Sequence, residues 1–175
     1  MPSALRSPAA LSRFFLTAAV GVSLDLWTKS LAVSRLAFAP QPYRFIPGWL
    51  EFEFVANQGA VFGLGQGRRV LFIAVSFGAI IFLTYLFAVS GKRRIYQLLL
   101  GILLAGVLGN LYDRMTLGYV RDMIHALPQW KNFFPYVFNV ADSLLCTGVT
   151  LMILLSLFPE PNENKPEPSA DAQRR

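Results

Sequence analysis

The chain has 175 residues, 54% of them hydrophobic and only 15% charged, with a mean hydropathy of +0.47. That composition excludes an ordinary water-soluble domain, and a single cysteine, Cys146, excludes an internal disulfide or a multi-cysteine metal cage. The formal charge of +6 fits Lys and Arg holding loops on the cytoplasmic face of a membrane better than it fits nucleic acid, so no nucleic-acid partner is expected.

The first apolar stretch, 11–36, is long enough to span a bilayer and contains Asp25 and Lys29. A cleaved signal peptide is the competing reading, since Arg6 and Arg13 come first and "AFA" at 37–39 mimics a cleavage site. Asp25, Lys29 and Arg35 intervene before those small residues, and Pro40 would follow the cut, so a retained helix is expected. Next, "WLEFEFV" (49–55) alternates Glu51 and Glu53 with Phe52 and Phe54, the period of a half-buried strand. Tyr43, Phe45, Trp49 and Phe52 suit an aromatic belt at a membrane interface. In "NQGAVFGLGQG", Gly59, Gly63, Gly65 and Gly67 permit tight or positive-φ backbone.

A second span at 70–89 is followed by the basic turn "GKRR" and a third span at 95–114. The third carries Gly101, Ala105 and Gly109 at steps of four, a small-residue stripe that admits another helix closely. It ends in Asn110, Asp113 and Arg114, with Asn110 and Arg114 on one face. The fourth span, 137–158, opens with Asn139 and Asp142 and holds Cys146, read as a packing residue. The tail 159–175, rich in Pro and charge, reads as disordered. The expected fold class is an all-α membrane protein: one domain over 1–158, four transmembrane helices, and a small extracytoplasmic β-sheet and loop region. The even span count and the wholly basic turn put both termini and the tail in the cytoplasm, and segments 37–69 and 115–136 outside.

Asp122 and Asp142 then sit at the same outer rim, joined by a short loop. Each acid alone has a plainer reading. Asp113 pairs with Arg114 or nearby backbone, Asp122 is solvated or paired with Arg121, and Asp142 caps its helix through the helix dipole. Two carboxylates converging at one membrane depth are harder to dismiss, because polar groups there are costly and usually functional.

Four motifs in order, "DLWTK" (25–29), "NQGAVFG" (57–63), "GNLYDRMTLGYVRDMI" (109–124) and "FNVAD" (138–142), give the chain a resemblance to bacterial lipoprotein signal peptidase, also called signal peptidase II. The resemblance covers about 12–158, with one departure at Val61, where a smaller residue is more usual. It implies an intramembrane aspartic endopeptidase of the inner membrane, with its active site at the outer face. Its partners would be membrane lipid and diacylglyceryl-modified prolipoproteins, cut on the amino-terminal side of the lipidated cysteine. By motif, Asp122 and Asp142 are the catalytic pair. Asn57, Gly59, Asn110, Arg114 and Asn139 line the substrate site, and Asp25, Lys29 and Asp113 support it. No cofactor or metal is implied, and a monomer is expected.

Two close carboxylates share a proton, so the ionised one can activate water while its partner hydrogen-bonds the scissile carbonyl. His125, a lone histidine three residues past Asp122, has no ligand-type partners at metal spacing and reads as structural or peripheral. The rival class is a transporter or channel subunit using Asp25, Asp113 and Asp142 as a polar pathway, which predicts acids spread through the bilayer depth. A noncatalytic membrane adaptor would need no paired acids.

Overall fold

The computed structural model describes residues 4–59, 67–130 and 136–157. The tail 159–175, together with Val61, Gly63 and Gly65, lies outside the described residues. Among the described residues four helices are long and apolar enough to cross a membrane: α1 (Pro8–Leu36), α2 (Arg69–Val89), α3 (Arg94–Thr116) and α4 (Val140–Leu157). The helix α1 begins where Ser7 accepts the Ala10 N–H and Pro8 supplies a preset φ. Between α2 and α3 the chain turns at Gly91, whose φ of +62° suits glycine.

The helix α3 is the axis of the bundle: 61% of its apolar window is buried, against 17% for α2 and for α4. Its small-residue stripe is the reason α1 can lie so close. A Cβ on Gly101 would stand 2.7 Å from the Phe14 carbonyl oxygen, and one on Gly21 would stand 2.6 Å from Ala105 Cβ. The stripe facing α4 is different, and the steps-of-four pattern does not include it. Gly106 fits against the Ala141 carbonyl and Leu145, and Gly148 of α4 fits against Leu103. Cys146 corrects its expectation, because it is exposed on α4 rather than packed. In a helix with so little burial, an apolar run mostly faces lipid.

A four-stranded antiparallel sheet accompanies the bundle, in the order β1 (Tyr43–Ile46), β2 (Leu50–Asn57), β3 (Val120–Ala126), β4 (Val137–Phe138). The alternation in "WLEFEFV" forms β2, half-buried along most of its length. The strand β3 was not expected, and neither was β4, whose two residues replace the expected start of the fourth span. Val120 to Met123 are all buried, so β3 lacks the two-residue rhythm that marks a half-exposed strand. Between β2 and β3 the register slips by one between Phe52 and Val55, a bulge on β2. Beyond it, Val55 pairs with Asp122 and Asn57 with Val120.

Candidate active site

Asp122 stands on β3, and Asp142 stands in the first turn of α4. Two carboxamides and a helix start bring them together. Asn139 caps α4: its Oδ1 accepts the Asp142 N–H at 3.0 Å, while Asp142 Oδ2 accepts the Asn139 N–H at 3.2 Å. This reciprocal pair is a capping box, with aspartate where glutamate is usual. The next free N–H of that helix end, on Ala141, is taken by Asp25 Oδ1 from α1 at 2.8 Å. Asp142 is therefore a helix cap and a candidate reacting group at once.

The Asn139 amide has its orientation forced. Its oxygen faces a backbone N–H, so its Nδ2 points the other way and donates to Asp122 Oδ1 at 2.6 Å. Asn57 is fixed in the same manner. Its Oδ1 accepts the Gly59 N–H at 2.8 Å, leaving Nδ2 to donate to Asp122 Oδ2 at 2.8 Å. Asn110 Nδ2 donates to Asp142 Oδ1 at 2.8 Å, and Asn110 Oδ1 accepts from Asn139 Nδ2 at 3.2 Å. Both carboxylates thus belong to one amide network. Asp122, only 1% exposed, is pushed up to about 7 by burial, with the charge of Asp142 adding to it; the Asn57 and Asn139 donors and the Lys29 charge pull the other way.

Beneath the pair lies a buried ionic cluster. Lys29 Nζ is 2.8 Å from Asp25 Oδ2 and 3.5 Å from Asp113 Oδ2. Arg121 donates to Asp113 through its backbone N–H at 2.9 Å and through Nη2 at 2.6 Å. Two of the plainer pairings are not the ones formed. Asp113 bonds Arg121 and Lys29 instead of Arg114, and Arg121 does not serve Asp122. The reason is geometric: consecutive strand residues point to opposite faces, so Arg121 and Asp122 diverge from one backbone position to the next. Arg121 anchors the start of β3 and so places Asp122.

Arg114 sends Nη2 to the Gly59 carbonyl at 3.0 Å, and its guanidinium lies 5.1 Å from the Phe72 ring centroid. Phe72 carried no signal in the sequence that would have matched it to Arg114. Gly59 is thus held at both its N–H and its carbonyl. His125 Nδ1 lies 2.7 Å from Glu53 Oε1 on the neighbouring strand. Being three residues along β3, His125 is on the face opposite Asp122. Among the described residues, no group of three or more His, Cys, Asp or Glu is arranged to hold a metal ion. Asp25, Asp113, Asp122 and Asp142 gather in one cluster, unlike the dispersed acids that a polar pathway requires.

Comparison with known proteins agrees with this architecture. A family model described as signal peptidase (SPase) II matches residues 17–158. The lipoprotein signal peptidase of Enterococcus faecalis is 35% identical over 148 residues, covering 84% of this chain and 89% of that protein. That of Rhodopirellula baltica is 38% identical over 161 residues, covering 82% and 70%. A solved bacterial membrane enzyme superposes with a TM-score of 0.75 at 30% identity, covering 87% of this chain and 92% of its own. The chain belongs to the signal peptidase II family, the lipoprotein signal peptidases, which are aspartic peptidases of bacterial membranes.

Proposed function

We propose that the chain removes signal peptides from diacylglyceryl-modified prolipoproteins, cutting on the amino-terminal side of the lipidated cysteine, with Asp122 and Asp142 activating water. The observation that carries this reading is the single Asn139 side chain bonded to both acids, by Nδ2 to Asp122 and by Oδ1 to the Asp142 N–H. Charge bookkeeping supports it. Asp25, Asp113, Asp122 and Asp142 face Lys29, Arg121 and Arg114, four negative groups against three positive ones. One proton shared by the pair makes the cluster neutral, the state an aspartic pair needs.

In this reading the ionised member takes a proton from water, which attacks the scissile carbonyl. The protonated member hydrogen-bonds that carbonyl and then protonates the leaving amine. Asn57, Gly59, Asn110, Arg114 and Asn139 line the peptide path, and the diacylglyceryl chains lie between helices toward lipid. The protein acts as a monomer, with residues 1–158 as one domain. The sheet lies at the outer face, where exposed Tyr43, Phe45 and Trp49 suit the interface. Both termini and the "GKRR" turn are cytoplasmic, with the basic turn carrying that orientation.

Cleavage of a diacylated prolipoprotein in detergent tests the chemistry. Asp122→Asn and Asp142→Asn are each expected to leave a folded, membrane-inserted protein with activity lowered by orders of magnitude. Full activity in either removes that aspartate from the mechanism, and equal cleavage of an unlipidated precursor removes the lipid requirement. Orientation is tested in a Cys146→Ala background. A cysteine replacing Lys92 is expected to resist an impermeant thiol reagent in intact cells, while one replacing Phe45 reacts. The reverse pattern inverts the topology.

A further inference from the structure

Three carboxamides aim N–H groups at the two aspartates, and each must be held from flipping, since an inverted amide would present oxygen to a carboxylate. Backbone N–H groups hold two of them, Gly59 for Asn57 and Asp142 for Asn139. Side chains hold the Asn110 oxygen: Asn139 Nδ2 donates to it at 3.2 Å, and Lys29 lies closer. Asn110 Oδ1 lies 3.0 Å from Lys29 Nζ, and Lys29 is wholly buried. An ammonium has three donors and no acceptor, so the Asn110 atom beside it must be oxygen. The Asn110 N–H is thereby left facing Asp142. The other two ammonium contacts, Asp25 and Asp113, are carboxylates that fix Lys29 in place.

We propose that Lys29 is a positioning residue of the aspartate pair: by claiming the Asn110 oxygen, its ammonium turns the Asn110 N–H onto Asp142. This rests on the reading of Asp122 and Asp142 as the reacting pair. It gives the buried lysine a task in the reaction beyond balancing charge. Without Lys29 only the longer Asn139 bond, at 3.2 Å, holds the Asn110 oxygen, and the inverted amide, which sets oxygen against Asp142 and holds a proton on the pair, becomes accessible. The charged groups around Lys29 are Asp25 on α1, Asp113 and Arg114 on α3, Arg121 and Asp122 on β3, and Asp142 on α4.

Two charge-balanced variants isolate the effect, Lys29→Met with Asp25→Asn and Lys29→Met with Asp113→Asn. Asp25 and Asp113 have different structural partners, Ala141 and Arg121, so the two variants are expected to lose different amounts of thermal stability. Both are expected to lose roughly ten- to a hundredfold in kcat, as for a charge-assisted hydrogen bond, with KM near wild type. In both, the acid limb of the cleavage profile moves up by about one pH unit, the worth of one hydrogen bond to the ionised carboxylate. Asp25→Asn alone, with Lys29 kept, does not move the limb upward, because the charge it withdraws is negative. Asn110→Asp keeps the oxygen for Lys29 but removes the N–H facing Asp142, so it lowers kcat and moves the limb upward even where neither double variant folds. A folded double variant with the wild-type profile overturns the proposal, as does an unshifted Asn110→Asp or a shift reproduced by Asp25→Asn alone. Retained activity in Asp122→Asn would instead overturn the pair itself, whatever Lys29 does.

Discussion

At one end of the bundle, Phe14 of α1 stacks on Phe87 of α2 with ring centroids 4.3 Å apart, among Ala10, Ala18, Leu83, Leu100, Leu103 and Leu104. Further along the same helix, Asp25 and Lys29 enter a cluster of four acids, three bases and three asparagines. The first end holds chiefly by shape, with Gln97 as its polar tie: Arg13 Nε donates to Gln97 Oε1 at 2.9 Å and Gln97 Nε2 donates to the Gly91 carbonyl at 2.9 Å. The second end holds by directed bonds, and removing one partner there leaves another buried and unsatisfied. The lesson is that α1 serves as frame at one end and as part of the site at the other, so the two ends should respond to mutation in different measurements.

Phe87→Ala is the largest break of the apolar end. It is expected to cost about 3 kcal/mol of stability, as for a large core truncation, and to lower the melting temperature in detergent. Cleavage at a temperature where the variant is folded stays near wild type. A large loss of cleavage there would mean that the ends are coupled more tightly than their separate contacts indicate.

Arg114→Lys probes the polar end with a smaller change. Lysine keeps the charge and loses the planar fork that holds the Gly59 carbonyl and lies over Phe72. Turnover efficiency is expected to fall roughly ten- to a hundredfold, the worth of one charge-assisted hydrogen bond. Unchanged cleavage with a lower melting temperature would leave Arg114 as scaffold and end its assignment to substrate.

The smallest expected effect is a pH slope confined to the polar end. Asp122 titrates near 7 in the fold, above its ordinary value of 3.8, chiefly through burial. The folded state therefore holds a proton that the unfolded chain has released between those values, so stability falls as pH rises from about 4 to about 7. Asp122→Asn is expected to flatten that part of the melting-temperature profile. A profile identical to wild type would show that Asp122 does not carry the slope.

How far the sequence reveals this molecule depends on which forces wrote each part. The four helices are legible because twenty apolar residues have few other uses, and β2 is legible because Glu51 and Glu53 alternate with Phe52 and Phe54. The strand β3 is hidden because both its faces are covered, which erases the alternation. At the site, the motif and the membrane depth both single out Asp122 and Asp142. The partners of Asp113 are another matter. Arg114 is its chain neighbour and Arg121 is eight residues away, yet Arg121 makes the bond, because strand alternation carries it to the side opposite Asp122. Proximity in sequence misleads wherever a helix hands over to a strand.

The cap of α4 has a mechanical consequence. Most of α4 past its first turn faces outward, and a smooth apolar rod in lipid has little to fix its rotation about its own axis. Asn139, Asp142 and the Asp25 bond to Ala141 act as a key at one tip, with Gly148 as a second stop against Leu103. A change in bilayer thickness is then taken up by tilt at the unkeyed tip, while the keyed tip keeps both its angle and its depth.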